Sequence, residues 1–524
     1  MTLKKLQLKG LRSLEDTGEI VLKPITILLG QNSSGKSTYL RSLPLIKQSL
    51  ESKNNEPLLW YGSLVDFGSY DESICATNKE RGIQLKLEIE KPPSHSEFSK
   101  INADKISIEI KIDKSTSQLQ QGDELLPSQS VTTNLILGIL DSNISLEFSK
   151  KTSELLLVSI NGEDFTEHVN KNYLLIGREH LIPRLVDRPI ANIPDPNDSR
   201  QIEAKPVLSY AMTSLSNFID EIRNTKSSLK SVPSHRLIDI FPLRSDKETL
   251  ATLNNLRQNQ ELFKNIISTW TTSSPKFKEF KNLIIASRLG DIIDFSKQVL
   301  NDEFASFSYI SPIRASAQRY YRQQAATDNL DPKGENFAHF LKNLRGTNES
   351  SFKKWLSEKL GVSIAIKQSY GHISIYLTDA NDTSKKVNLA DTGFGYSQLL
   401  PIAALIWQTK NPNQSDALPS SSIRTIAIEQ PELHLHPRIQ SKIADLLVLD
   451  QTSEYPATIL IETHSEPLVN RIGELIESGK IRKEDVAIIL FDKENFDEST
   501  KISHTEFDSN GYLTNWPIGF FNSK

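Results

Sequence analysis

Residues Gly30-Gln31-Asn32-Ser33-Ser34-Gly35-Lys36-Ser37-Thr38 match GxxxxGK[ST] in full, and few patterns restrict a fold more. The apolar run Pro24-Ile25-Thr26-Ile27-Leu28-Leu29 leads straight into them, and Ser37 to Ser49 follows with helical spacing. Strand, glycine-bearing loop and helix in this order are the context in which such a loop cradles phosphate. Backbone N–H groups of the loop, Asn32, Ser33, Ser34 and Thr38 included, and the positive end of the helix converge on phosphate oxygens. Gly30 and Gly35 permit backbone conformations that a side chain would block. Lys36 reaches the β- and γ-phosphates, and the Ser37 hydroxyl is a ligand for Mg²⁺. ATP and Mg²⁺ are the expected ligands.

At 524 residues the chain is too long for one simple domain. The formal net charge of -4 supplies no global basic field to draw it to nucleic acid or acidic membranes. A single cysteine, Cys75, excludes an intrachain disulfide framework, and its spacing to other residues gives no nucleophile motif. No apolar run is long enough to span a bilayer, and Met1-Thr2-Leu3-Lys4-Lys5 opens no signal peptide. These features point to a soluble cytoplasmic protein without a membrane partner.

Alternating segments follow the loop region: Ile83 to Ile89, Ile106 to Ile112 and Ile144 to Phe148. Period two of this kind predicts half-solvated antiparallel strands joined by polar loops at Lys91-Pro92-Pro93-Ser94 and Ser115 to Ser128. From Ile182 to about Arg200 the Pro- and Asp-rich run, with Ile193-Pro194-Asp195-Pro196-Asn197-Asp198, reads as a linker or surface loop. Val207 to Phe304 is mainly helical in pattern, with Leu250, Leu253 and Leu256 as examples. Apolar runs at Thr425 to Ile428, Thr458 to Ile461 and Val486 to Phe491 read as buried parallel strands. The expected fold is α/β: a nucleotide-binding head split in sequence, residues 1–80 and 305–524, with an antiparallel β lobe at 81–175 and a mainly helical insertion at 176–304.

Three further motifs fall in the last third. Leu389 to Gln398 is a glycine-bearing turn that feeds an apolar helix. Thr425-Ile426-Ala427-Ile428-Glu429 is a strand ending in a carboxylate, followed by Gln430-Pro431-Glu432-Leu433-His434-Leu435-His436-Pro437. Ile459-Leu460-Ile461-Glu462-Thr463-His464-Ser465 runs a strand into a histidine. A carboxylate at a strand end beside the phosphate loop suits a Mg²⁺ contact.

In this order the motifs resemble the ABC-type ATPase heads of the SMC, RecF and OLD branch, and more closely the compact ATPases of prokaryotic anti-phage systems, PtuA of Septu and its retron-associated relatives. The resemblance covers about residues 1–80 and 305–524. It implies that Gly393, Gly395, Ser397 and Gln398 form a signature motif that closes over ATP held by a second head, so that ATP joins a homodimer or higher oligomer. It places Glu429 at the Walker B position, with Ser37 as the other metal residue, and His464 at the switch position near the γ-phosphate. Arg12 stands where these heads carry a basic residue near the nucleotide, although Leu11 replaces their usual aromatic. Gly62 to Gly68 stands for the glutamine loop without an evident metal-binding Gln.

One departure bears on rate. Gln430 follows Glu429 where most ABC heads have the general-base glutamate, and an amide orients water without accepting its proton. Glu432 is the nearby substitute, and slow turnover is the expectation. The resemblance further implies an ATP-driven switch controlling a separate effector, an HNH-type nuclease, in some systems with a reverse transcriptase and its DNA product. A DNA-repair clamp of the RecF kind is the alternative, because head motifs are shared. A self-sufficient nuclease is disfavoured, since the segment after His464 is too short for a toprim fold with its metal-binding carboxylates. His434 and His436 read as an interface loop rather than a metal cluster with Glu432 and His464. Arg314, Arg319, Tyr320, Tyr321 and Arg322 leave two readings open: a contact for single-stranded nucleic acid, or a solvated or nucleotide-facing loop.

Overall fold

A computed structural model describes residues 2–52, 55–78, 80–90, 101, 103–115, 120–121, 124–125, 129–152, 154–170, 173–177, 179–187, 210–224, 233–323, 330–344, 346–380, 382, 384–410, 425–448, 457–493, 495 and 498–514. The expected loops at Lys91–Ser94 and Ile193–Asp198 lie outside the described residues, as does much of Ser115–Ser128. The chain divides into two compact units, one of residues 52–59 and 80–301, the other of residues 2–51, 60–79 and 302–524.

The first unit opens with an antiparallel meander. Strands Ile83–Glu90, Lys105–Lys114, Ser130–Ile139, Ser142–Phe148, Leu155–Ile160 and Glu163–Asp164 pair each with the next. Buried and part-exposed residues alternate along them, as the sequence pattern requires of a sheet with one dry face. A further antiparallel pair, Tyr173–Ile176 with Arg184–Asp187, extends the β structure beyond position 175 into the start of the stretch expected as a linker or surface loop. The helical part includes Tyr210–Ile222, Asp246–Gln260 and Pro275–Ser287. It packs on aromatic contacts, with the Phe280 ring 5.1 Å from Phe241 and 5.6 Å from Phe218.

The second unit is built on a seven-stranded sheet ordered Phe307–Ile310, Thr425–Glu429, Thr458–Glu462, Ile25–Gly30, Val486–Asp492, Lys501–Phe507, Leu513–Thr514. The first five are parallel and the last two antiparallel. The inner strands are buried residue by residue, because helices cover both faces and leave no position for a polar side chain on water. The phosphate-loop strand therefore sits between two strands from the far end of the chain, which closes the split head. Helices Lys36–Glu51, Phe394–Lys410, Pro437–Leu447 and Glu466–Glu477 belong to this unit. A smaller sheet joins the hairpin Val362–Ser369/His372–Asp379 to the edge strands Tyr321–Arg322 and Val387–Asn388. Its Ile364, Ile373 and Ile375 enter the same core as Trp407.

Two backbones meet closely where Glu466–Glu477 passes the turn at Gly511. A Cβ at Gly473 would lie 2.3 Å from the Gly511 carbonyl oxygen, and one at Gly511 would lie 2.1 Å from that of Gly473. No flexible side chain is there to yield, so Gly473→Ala should lower the melting temperature by several degrees, a loss of about 2 kcal/mol or more in thermal or urea unfolding.

Candidate functional site

The phosphate loop owes its shape to its glycines. Gly30 lies opposite Phe491 in the parallel ladder, and a Cβ on it would stand 2.1 Å from the Phe491 carbonyl oxygen. Gly35, at φ +94°, faces Ser13 and Leu14 at 2.9 and 2.8 Å from a built Cβ. Ser33 adopts a left-handed conformation at φ +62°, and the Ser34 hydroxyl donates to Gln31 O at 2.8 Å. Asn32 and Ser33 are exposed, while Ser34 and Thr38 are buried. The buried Lys36 ammonium donates to the loop carbonyls of Gly30 and Gln31 at 3.0 and 2.6 Å. Burial holds its pKa below the ordinary lysine value, opposed by the charges of Glu462 and Glu432.

Two carboxylates stand side by side at the ends of neighbouring strands, Glu429 opposite Glu462 in register. They have different partners. Glu429 accepts from Arg41 Nε at 2.8 Å and Nη2 at 2.7 Å, a bidentate pair, and from the Tyr309 hydroxyl at 2.8 Å. Glu462 accepts from the Ser37 hydroxyl at 2.7 Å, and its other oxygen, Oε2, is buried without a partner among the described residues. Burial, then the charge of Glu429, pushes the Glu462 carboxyl up to about 7. The carboxylate at Ser37 is thus Glu462, which sequence reasoning passed over, and Glu429 is taken up by Arg41. The only signal for Glu462 was a charged residue ending an otherwise apolar strand.

The segment after Glu429 turns sharply, with Gln430 at φ +40° and its N–H donating to Glu462 O at 2.8 Å. Glu432 reaches back to the other strand end, accepting from the Thr463 hydroxyl at 2.8 Å and from His464 N at 2.7 Å. Burial raises its pKa. Arg314 is buried beneath this turn, donating to Glu429 O at 3.3 Å and Gln430 O at 3.1 Å, and burial pushes its pKa down to about 10. His464 stays open to solvent on one side. The protein packed around its ring, then the Lys36 charge, pushes its pKa down to about 4, so the imidazole is neutral at pH 7.

Gly393, at φ +76°, is exposed just before the helix Phe394–Lys410, and Gly395 is half-buried. Ser397 and Gln398 point inward instead: the Gln398 amide donates to Arg314 O and Ala315 O, both at 3.4 Å. Arg12, itself at φ +50°, lays its guanidinium 4.4 Å from the centre of the Phe67 ring. In the Gly62–Gly68 segment the side-chain oxygen of Gln48 accepts from Leu64 N at 3.2 Å and Val65 N at 3.1 Å. Histidines 434 and 436 join no cluster of three or more metal-binding side chains among the described residues; His436 caps the next helix by accepting from Arg438 N.

A phosphate loop at one strand end, faced by acidic strand ends, is the construction of a nucleotide-hydrolysing site. Residues 1–469 match the family of the AAA ATPase domain. The chain belongs to that family. No curated protein matches it. Solved structures similar to it include the Smc head bound to the C-winged helix domain of ScpA, at 10% identity, covering 97% of this chain and 98% of that one with a TM-score of 0.37. The SMC head domain from Thermotoga maritima matches at 10% identity, 96% and 99% coverage and a TM-score of 0.36. Likenesses this distant carry no weight for fold or function.

This ATPase has donors suited to a Mg²⁺ ion that accompanies ATP. The Ser37 hydroxyl and the unpartnered Glu462 Oε2 are hard oxygen ligands next to Lys36. Among the described residues no helix is long and apolar enough to cross a membrane.

The raised Glu462 pKa sets a sign for stability. Between about pH 4.5 and 7 the folded chain keeps a proton that the unfolded chain has released, so this group's contribution falls as pH rises through that window and is constant above it. Without nucleotide, Glu462→Gln should therefore be more stable than the parent at pH 8, by on the order of 1–3 kcal/mol, and nearly equal near pH 4.5. Urea unfolding at the two pH values checks this.

Proposed function

We propose that this ATPase is an ABC-type switch: it binds ATP with Mg²⁺, pairs through ATP with a second copy, hydrolyses slowly, and controls a separate effector. The resemblance of its motifs to anti-phage ATPases makes that effector an HNH-type nuclease. Lys36 and the loop N–H groups hold the β- and γ-phosphates. Ser37 and Glu462 would hold the metal, while Glu429 stays tethered to Arg41. Mg²⁺ held there would supply charge neutralisation for the phosphate oxygens. His464, neutral at pH 7, offers a hydrogen bond to the γ-phosphate or to water. The exposed turn at Gly393 is the part of the signature motif that meets the partner, because Ser397 and Gln398 are buried within their own chain.

The arrangement after Glu429 supports slow turnover. Gln430 offers an amide where a base is needed. Glu432, the nearest substitute, already accepts from Thr463 and His464 N, and moving it would leave those donors unsatisfied.

Turnover by the purified chain should fall well below the enzyme median of roughly ten per second. Gln430→Glu should raise kcat at least tenfold, given the usual worth of a general base of about 10²–10⁴. A parent rate at the median, or no gain in the variant, defeats the slow-switch reading. Native mass should show ATP-dependent assembly with itself and with a neighbouring nuclease, lost in Lys36→Ala. A chain that stays monomeric with ATP and Mg²⁺ overturns the dimer.

A further inference from the structure

The basic and aromatic run at 314–322 does not act as one surface. Arg314 is buried under the Gln430 turn. Arg319 is paired with Asp391 at 2.5 Å. Tyr321 packs against the core, and its hydroxyl accepts from Gln318 N at 3.0 Å. What this leaves exposed is joined by residues that are distant in sequence. Strand Tyr321–Arg322 places Arg322 directly across from His372, which is itself across from Ser369. Opposed residues share a sheet face, as do residues two apart, so Arg322, His372, Ser369 and Lys367 lie on one face and Ile364, Ile366 and Ile373 on the other. The Tyr320 ring, 60% exposed, meets His372 edge-on with centroids 6.4 Å apart.

Tyr370 forms the tip of the hairpin between Val362–Ser369 and His372–Asp379. Its two-residue turn has φ +46° at Tyr370 and +77° at Gly371, conformations that usually call for Asn-Gly or Gly-Gly. Tyr370 is nonetheless wholly exposed, so its ring contributes no packing to the fold. The turn is held by a contact of His372 Nδ1 with Tyr370 O at 3.0 Å and by Gln323 N donating to Gly371 O at 3.0 Å. Neither 313–323 nor 362–376 contains an aspartate or glutamate. Arg322 and Lys367 are exposed and form no ion pair among the described residues. Exposed rings beside cations that pair with no described residue, on two segments that carry no carboxylate of their own, match the chemistry of unpaired bases on a phosphate backbone. A duplex hides its base faces within the stack and would leave Tyr370 unused.

We propose that the hairpin tip Tyr370 with Tyr320, His372, Arg322 and Lys367 is a binding platform for single-stranded nucleic acid. Tyr370 and the Tyr320–His372 pair stack bases, and Arg322 and Lys367 contact phosphates. The platform stands independently of the ATP-switch reading.

The test is fluorescence anisotropy of the full chain with a labelled oligothymidylate of about twenty nucleotides and with a duplex of equal length, over a salt series. The single strand should bind more tightly, and Tyr370→Ala and Tyr320→Ala should each weaken it about tenfold. Arg322→Ala should lower the slope of log affinity on log salt by about 0.7, the value of one lost phosphate contact on a single strand. Melting temperature and nucleotide binding should not change, since none of these side chains is in the core or the phosphate site. Lys36→Ala should bind the oligonucleotide like the parent, which separates this platform from a failure of the ATP site. No binding at about 50 mM salt, equal binding of the duplex, or affinity unaffected by all three substitutions would overturn the assignment.

Discussion

Two carboxylates held in register at the ends of adjacent buried strands are the constraint around which the head is arranged. Glu429 and Glu462 are each 1% exposed, and two ionised carboxylates at that depth would repel each other across a medium that screens poorly. The molecule divides the problem. Arg41 and Tyr309 compensate Glu429 with three hydrogen bonds. Glu462 has one neutral hydroxyl, and its burial and the Glu429 charge outweigh the nearby Lys36 and Arg41 charges, so its proton is held more tightly than an ordinary glutamate's.

That division links the site to the fold. Arg41 lies one helical turn beyond Ser37 in the helix after the phosphate loop, and Tyr309 belongs to the outermost parallel strand. Glu429 thereby ties helix and strand across the head, much as Glu432 ties the Gln430 turn to the His464 turn. Arg314 completes the set from beneath by donating to both carbonyls at the start of that turn, and Gln398 in turn donates to Arg314 O. The helix Phe394–Lys410, the acidic strand ends and the histidine turn are thus connected by hydrogen bonds.

Much of the head was legible because its signals are local. The phosphate loop depends on neighbours within nine residues, and the strands at Thr425, Thr458 and Val486 show as continuous apolar runs because both faces of each are covered. The alternating strands of the other unit were equally plain. The small sheet around Val362–Asp379 was not resolved from the general α/β pattern, since its Tyr321–Arg322 edge is too short to carry a period. The run at 314–322 shows why proximity in sequence misleads: its residues divide between the turn support, a surface ion pair, the core and the open surface.

The sequence by itself determined a phosphate-binding loop on a strand and helix and a split α/β head. Each follows from residues whose chemistry acts on near neighbours or from a period set by burial. Only the tertiary structure decided which carboxylate meets Ser37, that Ser397 and Gln398 turn inward, and that Tyr370 joins Tyr320 and Arg322. These depend on strand order and on pairing between segments that are far apart in the chain. Equivalent glutamates at two apolar strand ends are indistinguishable until one strand is seen to lie beside the phosphate loop.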